Sequence, residues 1–440
     1  MTLTRTLGCE RAEVKGQRFL AVNNDCILEF LSESQVQQSL ETRKRIVSDM
    51  EKAATHTKSL QGKYEGQLAM YDAEKEIAAS RTYHPGDSID MIVTSIPFGN
   101  QYEYSPSYHD LGHAKGDDEF FQQMDFLIPN LLRVLKPGRI AAIHVKDRVR
   151  FGKVTGKGMP TVSRFSDKTA DAFEKHGFEF MARITIDTDV VRENNQTYRL
   201  GWSENAKDSS KMGAGMPEYV LVFRKLPSDT SDAYADAPVT KSKEFYMRSD
   251  WQIDAAGFWR SSGNRLPDPE ILLSMGLPAV GRLWREHCLK HGYDHKEHVE
   301  IAKLFENEGR LPATFMLFAP ISRNKDVWTD IARMKTLNNQ QALAGKEKHV
   351  CPLQLDIIER LITRYSNPGE VVLDPFAGIF SVPYQALKMR RRAIGIELCA
   401  DYWKFGVGYC EMVENDVEAP TLAFMTELEE EAMAPVGCGM

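Results

Sequence analysis

Two stretches of this chain carry residue types that can handle a planar ligand bearing an amine. Residues 94–98 (TSIPF) close the apolar run DMIVTS and lead into GNQYEYS. A strand that stops at Ser-X-Pro-aromatic leaves the Ser95 hydroxyl and the carbonyls of Ile96 and Pro97 off the sheet edge, with the Phe98 ring beside them. Those oxygens accept N–H bonds from an exocyclic amine while an aromatic face stacks on the ring that carries it. The plainer alternative is an ordinary strand-to-loop turn with Phe98 in the core. Residues 370–381 (EVVLDPFAGIFS) read as an apolar strand ending at Asp374, then a small-residue turn and a helix start. Gly378 leaves room for a ligand to approach the backbone, and the helix N-terminus offers free N–H groups. A second strand ends about twenty residues later at Glu397, where an acid in a nucleotide-binding βαβ unit accepts ribose hydroxyls. Strand, glycine turn and distal acid together suit a nucleoside; separately, each also reads as plain structure.

The elements that must position these groups follow from periodicity. From Asp90 short apolar runs alternate with helical patterns: DMIVTSIP, FFQQMDFLIPNLLRVLKPG, RIAAIHV, KTADAFEKHGF, EFMARITI and EYVLVFRK. That rhythm predicts a mostly parallel α/β sheet with crossover helices. It resumes with PLQLDIIERLITRYS, EVVLDPFAG, VPYQALKM, RRAIGIEL and DYWKFGVGYCEMV. Between Ser32 and Ser80, apolar residues at Val36, Leu40, Ile46, Val47 and Met50, then Leu60, Tyr64, Leu68 and Tyr71, recur at helical spacing, predicting an inserted hairpin of two helices that breaks near residues 55–59. Residues 226–240 (LPSDTSDAYADAPVT) have linker composition. Residues 241–345 hold Trp251, Trp259, Trp284 and Trp328 without a βαβ rhythm, and the tail from Thr426 is acidic.

Composition excludes several classes. With 440 residues, 42% hydrophobic and 27% charged, the chain is globular and large enough for a core plus a second module. No apolar run approaches the roughly 18 residues of a membrane span, and the N-terminus lacks an apolar leader, so a soluble cytoplasmic protein with no membrane partner is expected. Seven scattered cysteines without a CxxC pair give neither a disulfide framework nor a zinc ribbon. His287, Cys288, His291, His295 and His298 share one stretch, but a full ligand set is not evident and a polar helix face is the better reading; no metal is expected. Residues 146–168 are basic and glycine-punctuated, suited to phosphates or simply to solvent.

The order of these motifs resembles the permuted, β-class amino DNA methyltransferases, which use S-adenosylmethionine. Ser95, Ile96, Pro97 and Phe98 match three places of that family's four-residue target-amine motif, with Ile96 where its first proline is usual. Asp374, Pro375, Phe376 and Gly378 match the cofactor turn, with Phe380 in place of its second glycine. HVCPLQLDIIERLI, containing Leu353 and Gln354, is similar to the helix placed over the methionine part, and RFLAVNNDCILEFL is similar to the strand whose acid meets the adenine, mapping that role to Asp25 with Cys26 beside it. IPNLLRVLKPGR, the stretch at 208–210, EYVLVFRK and VWTDI are most similar to phage- and prophage-encoded members.

The resemblance implies a circularly permuted Rossmann-like α/β methyltransferase sheet with a helical insertion and an added recognition module. Residues 1–31 and 81–226 would be the target-base half, 32–80 the hairpin, 227–240 a linker, 241–345 a DNA target-recognition module, 346–425 the cofactor half and 426–440 a tail. It also implies methyl transfer to an exocyclic amine of a flipped base in duplex DNA, cytosine N4 favoured by Ser95 over adenine N6, and admits a homodimer and a cognate restriction nuclease as partners. The absence of a Pro-Cys pair near the target motif argues against cytosine-C5 chemistry, which needs a thiolate. Ile96 and Phe380 motivate a competing reading as a DNA-binding protein that has lost catalysis; RNA or a protein amide is a third substrate class.

Overall fold

In the computed structural model, residues 11–54, 58–80, 82–98, 110–150, 152–188, 206–211, 216–243, 246, 251, 268–290, 295–311, 326–329, 331, 333, 335–337 and 352–418 are described. The first elements among the described residues are β1 (Ala12–Lys15), β2 (Phe19–Asn23) and the short α1 (Cys26–Glu29), followed by the hairpin helices α2 (Glu33–Ala54) and α3 (Lys58–Ser80). Next come β3 (Ile89–Ser95), α4 (Asp117–Val134), β4 (Leu135–Lys146), β5 (Arg148–Arg150), α5 (Gly152–Thr155), β6 (Thr161–Ser163), α6 (Phe165–Lys175), β7 (Glu179–Ile186) and β8 (Glu218–Arg224). Then α7 (Pro269–Leu273), α8 (Leu277–Lys290), α9 (His295–Asn307) and β9 (Val327–Trp328) precede α10 (Leu355–Tyr365), β10 (Val371–Asp374), α11 (Ser381–Lys388), β11 (Arg392–Glu397) and α12 (Ala400–Glu418).

One nine-stranded sheet has the order β1-β2-β11-β10-β3-β4-β8-β7-β9. β2, β11, β10, β3 and β4 run parallel, while β8 is antiparallel to both β4 and β7. The N-terminal β2 pairs with the C-terminal β11, from Phe19 opposite Ala393 to Asn23 opposite Glu397. Both chain ends therefore build one sheet, which is compatible with a permuted order. Its central strands are nearly continuous apolar runs because helices cover both faces. Met91, Val93, Val372 and Phe380 belong to one core layer, and Ile92, Ile143, Leu373 and Ile396 to the other.

The expected hairpin helices are α2, ending at Ala54, and α3, starting at Lys58; residues 55–57, where the break is expected, lie outside the described residues. The hairpin is held by Arg43 Nη1 donating to Gln67 Oε1 at 2.7 Å and by a small cluster of Leu28, Leu31 and Val36. Residues 227–240 form no regular element but are pinned to the far end of the sheet: buried Arg139 donates to the Ala237 carbonyl at 2.9 Å and to Glu370 Oε1 at 2.8 Å. β9, inside the 241–345 stretch, adds to the sheet edge beside β7, and Trp328, Ile331 and Leu337 join its core. Of the tryptophans and arginines of that stretch, Trp259, Arg260 and Arg265, and the side chains of Trp284 and Arg285, lie outside the described residues, as does the acidic tail. Among the described residues no helix is long and apolar enough to cross a membrane.

Candidate active site

The carboxyl ends of β2, β11, β10 and β3 lie side by side, and over them opens a solvent-accessible cleft. In parallel α/β sheets ligands bind in this crevice, because every strand there hands over to a loop with free backbone groups. Asp25, Cys26, Ser95, Ile96, Pro97, Phe98, Leu353, Asp374, Pro375, Phe376, Gly378 and Glu397 all line it. Gln354 does not; it stands at the N-terminal cap of α10, and its buried Oε1 has no hydrogen-bond partner.

The two motifs meet through a hydrogen bond. β3 is buried until Ser95, where Pro97, lacking an N–H, ends the ladder. Thr94 Oγ1 donates to Asp374 Oδ1 at 2.6 Å, and Phe376 N donates to the same oxygen at 3.0 Å. Asp374 thus ties the SIPF turn to the DPFAG turn. Burial outweighs these bonds and pushes its carboxyl up to about 7. Glu397 spans the next gap: its Oε2 accepts from Gly378 N and its Oε1 from Cys399 N, both at 2.8 Å. Burial, with repulsion from Asp374 and Asp110, pushes Glu397 up to about 8. A positively charged or hydroxyl-bearing ligand compensates such carboxyls; an anion does not.

Asp25 caps α1, its Oδ1 accepting from Ile27 N at 2.9 Å, and so presents its acid at the cleft wall. Ser95 Oγ lies 2.9 Å from His144 Nδ1. Phe98 is 5% exposed, its ring centroid is 6.1 Å from that of His144, and its carbonyl accepts from Arg148 Nη1 at 2.7 Å. The Phe98 ring is therefore part of the cleft wall and not an open platform.

Phe380 does not line the cleft. It sits in the left-handed region (φ 66°, ψ 36°), the conformation a glycine would favour, and its ring is fully buried. The ring occupies space left by Gly395 on β11 and Gly406 on α12; a methyl group at either would overlap it. The bulky replacement is absorbed by the core.

Sequence reasoning missed Thr94 as the lock between motifs, Asp110 on the cleft wall, and His144 behind Ser95. A histidine inside the apolar strand RIAAIHV was a readable sign of a buried polar partner. The basic stretch after β4 is partly structural: Arg148 pairs with Asp117 and lies 4.7 Å over the Phe165 ring, and burial pushes it down to about 10. The side chains of His287, Cys288, His291, His295 and His298 lie outside the described residues. No metal-holding cluster of His, Cys, Asp or Glu occurs among those described.

A family model described as DNA methylase, of the N6/N4 class, matches residues 89–406 of the 440. The chain belongs to this N6/N4 DNA methylase family. It is similar to the DNA adenine methyltransferase YhdJ of Escherichia coli K12, 37% identical over 82 residues, 19% of this chain and 26% of that one. It is also similar to the type II methyltransferase M1.MboII of Moraxella bovis, 37% identical over 73 residues, 17% of this chain and 26% of that protein. The matched stretches span about a quarter of these relatives' length. Among solved structures, TTHA0409 of Thermus thermophilus in complex with S-adenosyl-L-methionine is 20% identical, with 78% of this chain and 93% of that one covered at a TM-score of 0.39.

Proposed function

We propose that this DNA methylase moves a methyl group from S-adenosylmethionine to an exocyclic amine of a base flipped out of duplex DNA. The observation that carries the reading is the Thr94–Asp374 hydrogen bond, which sets the amine-accepting turn and the nucleoside turn on one cleft.

The cleft fits the cofactor. Glu397 faces it with carboxyl oxygens able to accept ribose hydroxyls, Asp25 and the Cys26 backbone stand at the adenine end, and the 374–378 turn with Leu353 borders the methionine part. When bound, S-adenosylmethionine supplies an electrophilic methyl group. The chain supplies orientation. An exocyclic amine is a weak nucleophile because its lone pair is delocalised into the ring. Ser95 Oγ and the Ile96 or Pro97 carbonyl accept its two hydrogens, which favours a pyramidal nitrogen, and the Phe98 edge contacts the base. Cys399, also on the cleft, has its thiol pushed up by burial and is no ready nucleophile, in keeping with direct transfer.

Ser95 favours cytosine N4. Adenine N6 is the second reading, favoured by the stretch shared with the relative named as an adenine methyltransferase. Incubating the protein with methyl-labelled cofactor and duplex DNA, RNA or protein in parallel tests the proposal. Label on DNA alone is expected; label on another class, or on none, would overturn it.

A further inference from the structure

The SIPF turn does not act by itself. Ser95 pairs in register with His144 on β4, and Ser95 Oγ lies 2.9 Å from His144 Nδ1. On the other side of the ring, His144 Nε2 lies 3.3 Å from Glu218 Oε2 at the start of β8. Glu218 is gripped by Arg333, whose Nη1 and Nη2 each donate at 2.6 Å to a different carboxylate oxygen. His144 and Glu218 are 4% and 5% exposed, and of the three only Ser95 lines the cleft. A chain of polar groups therefore runs from the cleft wall inward and ends on a fixed cation. We propose that Ser95, His144 and Glu218 form a proton relay for the methyl transfer proposed above, on which this inference rests, with Ser95 the catalytic residue and His144 and Glu218 positioning it.

The tautomer follows from the partners. Arg333 and His144 hold the Glu218 carboxyl well below its usual range, so it is an acceptor only. His144 Nε2 then carries the proton donated to Glu218, and Nδ1 is left with a lone pair. Ser95 Oγ–H must point inward at Nδ1, which turns the hydroxyl's lone pairs toward the cleft and makes Ser95 an acceptor for the target amine. In the transfer step the nitrogen–carbon bond forms as the donor's carbon–sulfur bond breaks, and the positive charge passes to the nitrogen. The nitrogen gives one proton to Ser95 Oγ while the hydroxyl's own proton moves to His144 Nδ1. The imidazolium so formed is held by Glu218 until it loses the proton to solvent.

The charged groups facing this chain are Glu218 on β8, Arg333 beyond β9 and Lys146 on β4, whose Nζ is 3.6 Å from Glu218 Oε1; Arg148 engages the neighbouring Phe98 carbonyl. Asp374 and Glu397, raised by burial, line the same cleft, so a limb of the rate profile is assigned to the relay by its response to substitution at His144 and Glu218 and not by its position on the pH axis.

The test uses the full chain with His144→Gln and Glu218→Gln. A relay of this kind predicts that His144→Gln lowers kcat about 100-fold or more, leaves S-adenosylmethionine affinity within about twofold, and removes the acidic limb of the kcat–pH profile. Glu218→Gln should shift that limb to lower pH, because the imidazolium loses its carboxylate. Nitrogen NMR of the ligand-free protein should show His144 as the Nε2–H tautomer. That spectrum and the Glu218→Gln profile keep the proposal refutable even if His144→Gln fails to fold. An unchanged kcat and pH profile in either variant, or an Nδ1–H tautomer, overturns the relay and leaves the methyltransferase reading standing. No methyl transfer by the unsubstituted protein overturns both.

Discussion

Replacing Phe380 with glycine, the residue the methyltransferase motif expects there, should weaken the fold and leave cofactor binding unimproved. The ring is fully buried, and truncating such a phenylalanine costs about 3–5 kcal/mol through lost transfer energy and the cavity left behind. Glycine relieves the left-handed backbone, which returns about 1–2 kcal/mol. The net loss is about 1–4 kcal/mol, readable as a lower denaturant midpoint. Gly406 gives a sharper version of the same argument. A mid-helix Gly→Ala change ordinarily stabilises by about 1 kcal/mol. Here the added methyl meets the Phe380 ring, so Gly406→Ala should destabilise the native protein by about 1–3 kcal/mol yet stabilise the Phe380→Gly background. That reversal of sign is a double-mutant coupling that can arise only if the two residues share the space. Calorimetry with S-adenosylmethionine completes the assay. If Phe380→Gly binds the cofactor at least tenfold more tightly, or if Gly406→Ala has the same sign in both backgrounds, the ring is not where the reasoning puts it.

Glu397→Ala should reduce S-adenosylmethionine affinity by about tenfold or more, the loss expected for hydrogen bonds to a carboxyl group; unchanged affinity by calorimetry removes Glu397 from the ribose site. The pH dependence of stability follows from the same group. Asp374 and Glu397 are pushed up to about 7 and about 8 in the folded protein, above their unfolded values, so the folded state holds protons the unfolded chain has released. Their contribution is fully present below about pH 4 and is lost as pH rises toward about 8. The ligand-free Tm should therefore fall between pH 5 and 8, and Glu397→Gln should flatten that slope; a slope unaltered by the substitution contradicts the assignment. Finally, if residues 241–325, which precede β9, select the DNA sequence, exchanging them for the equivalent stretch of a related methylase should move the methylated site, and an unmoved site shifts that role to the α2–α3 hairpin.

The parts of the fold legible in the sequence are those in which local pattern and tertiary context agree. DMIVTS and EVVLD are short apolar runs bounded by turn residues, and both are central strands buried on two faces. The helical periodicity of residues 32–80 corresponds to the helices α2 and α3. The pairing of β2 with β11 is a contact between residues 374 positions apart, and only the motif order pointed to it. Likewise, no spacing rule joins Thr94 to Asp374, or His144 to Glu218, because the sheet order and not the chain order makes them neighbours. The two-residue β9 was hidden for another reason: VW is too short to show alternation, and its burial comes wholly from β7 and the core beneath it. Phe380 shows the limit of motif reasoning. The motif alone leaves open whether its ring crowds the cofactor or turns into the core, because the compensating space comes from Gly395 and Gly406, neither of which belongs to the motif.

Whether one cleft brings a methyl donor and a base amine together can be read from the product itself. The protein is incubated with trideuteromethyl-labelled S-adenosylmethionine and duplex DNA of mixed sequence, the DNA is digested to nucleosides, and the labelled nucleoside is identified by mass spectrometry. Deuterated N4-methylcytosine is expected, with N6-methyladenine as the only other acceptable product, and its loss in Ser95→Ala while calorimetry shows the cofactor still bound. Label on carbon 5 of cytosine, or cofactor binding with no labelled nucleoside from any duplex, would refute the shared cleft as the site of amine methylation.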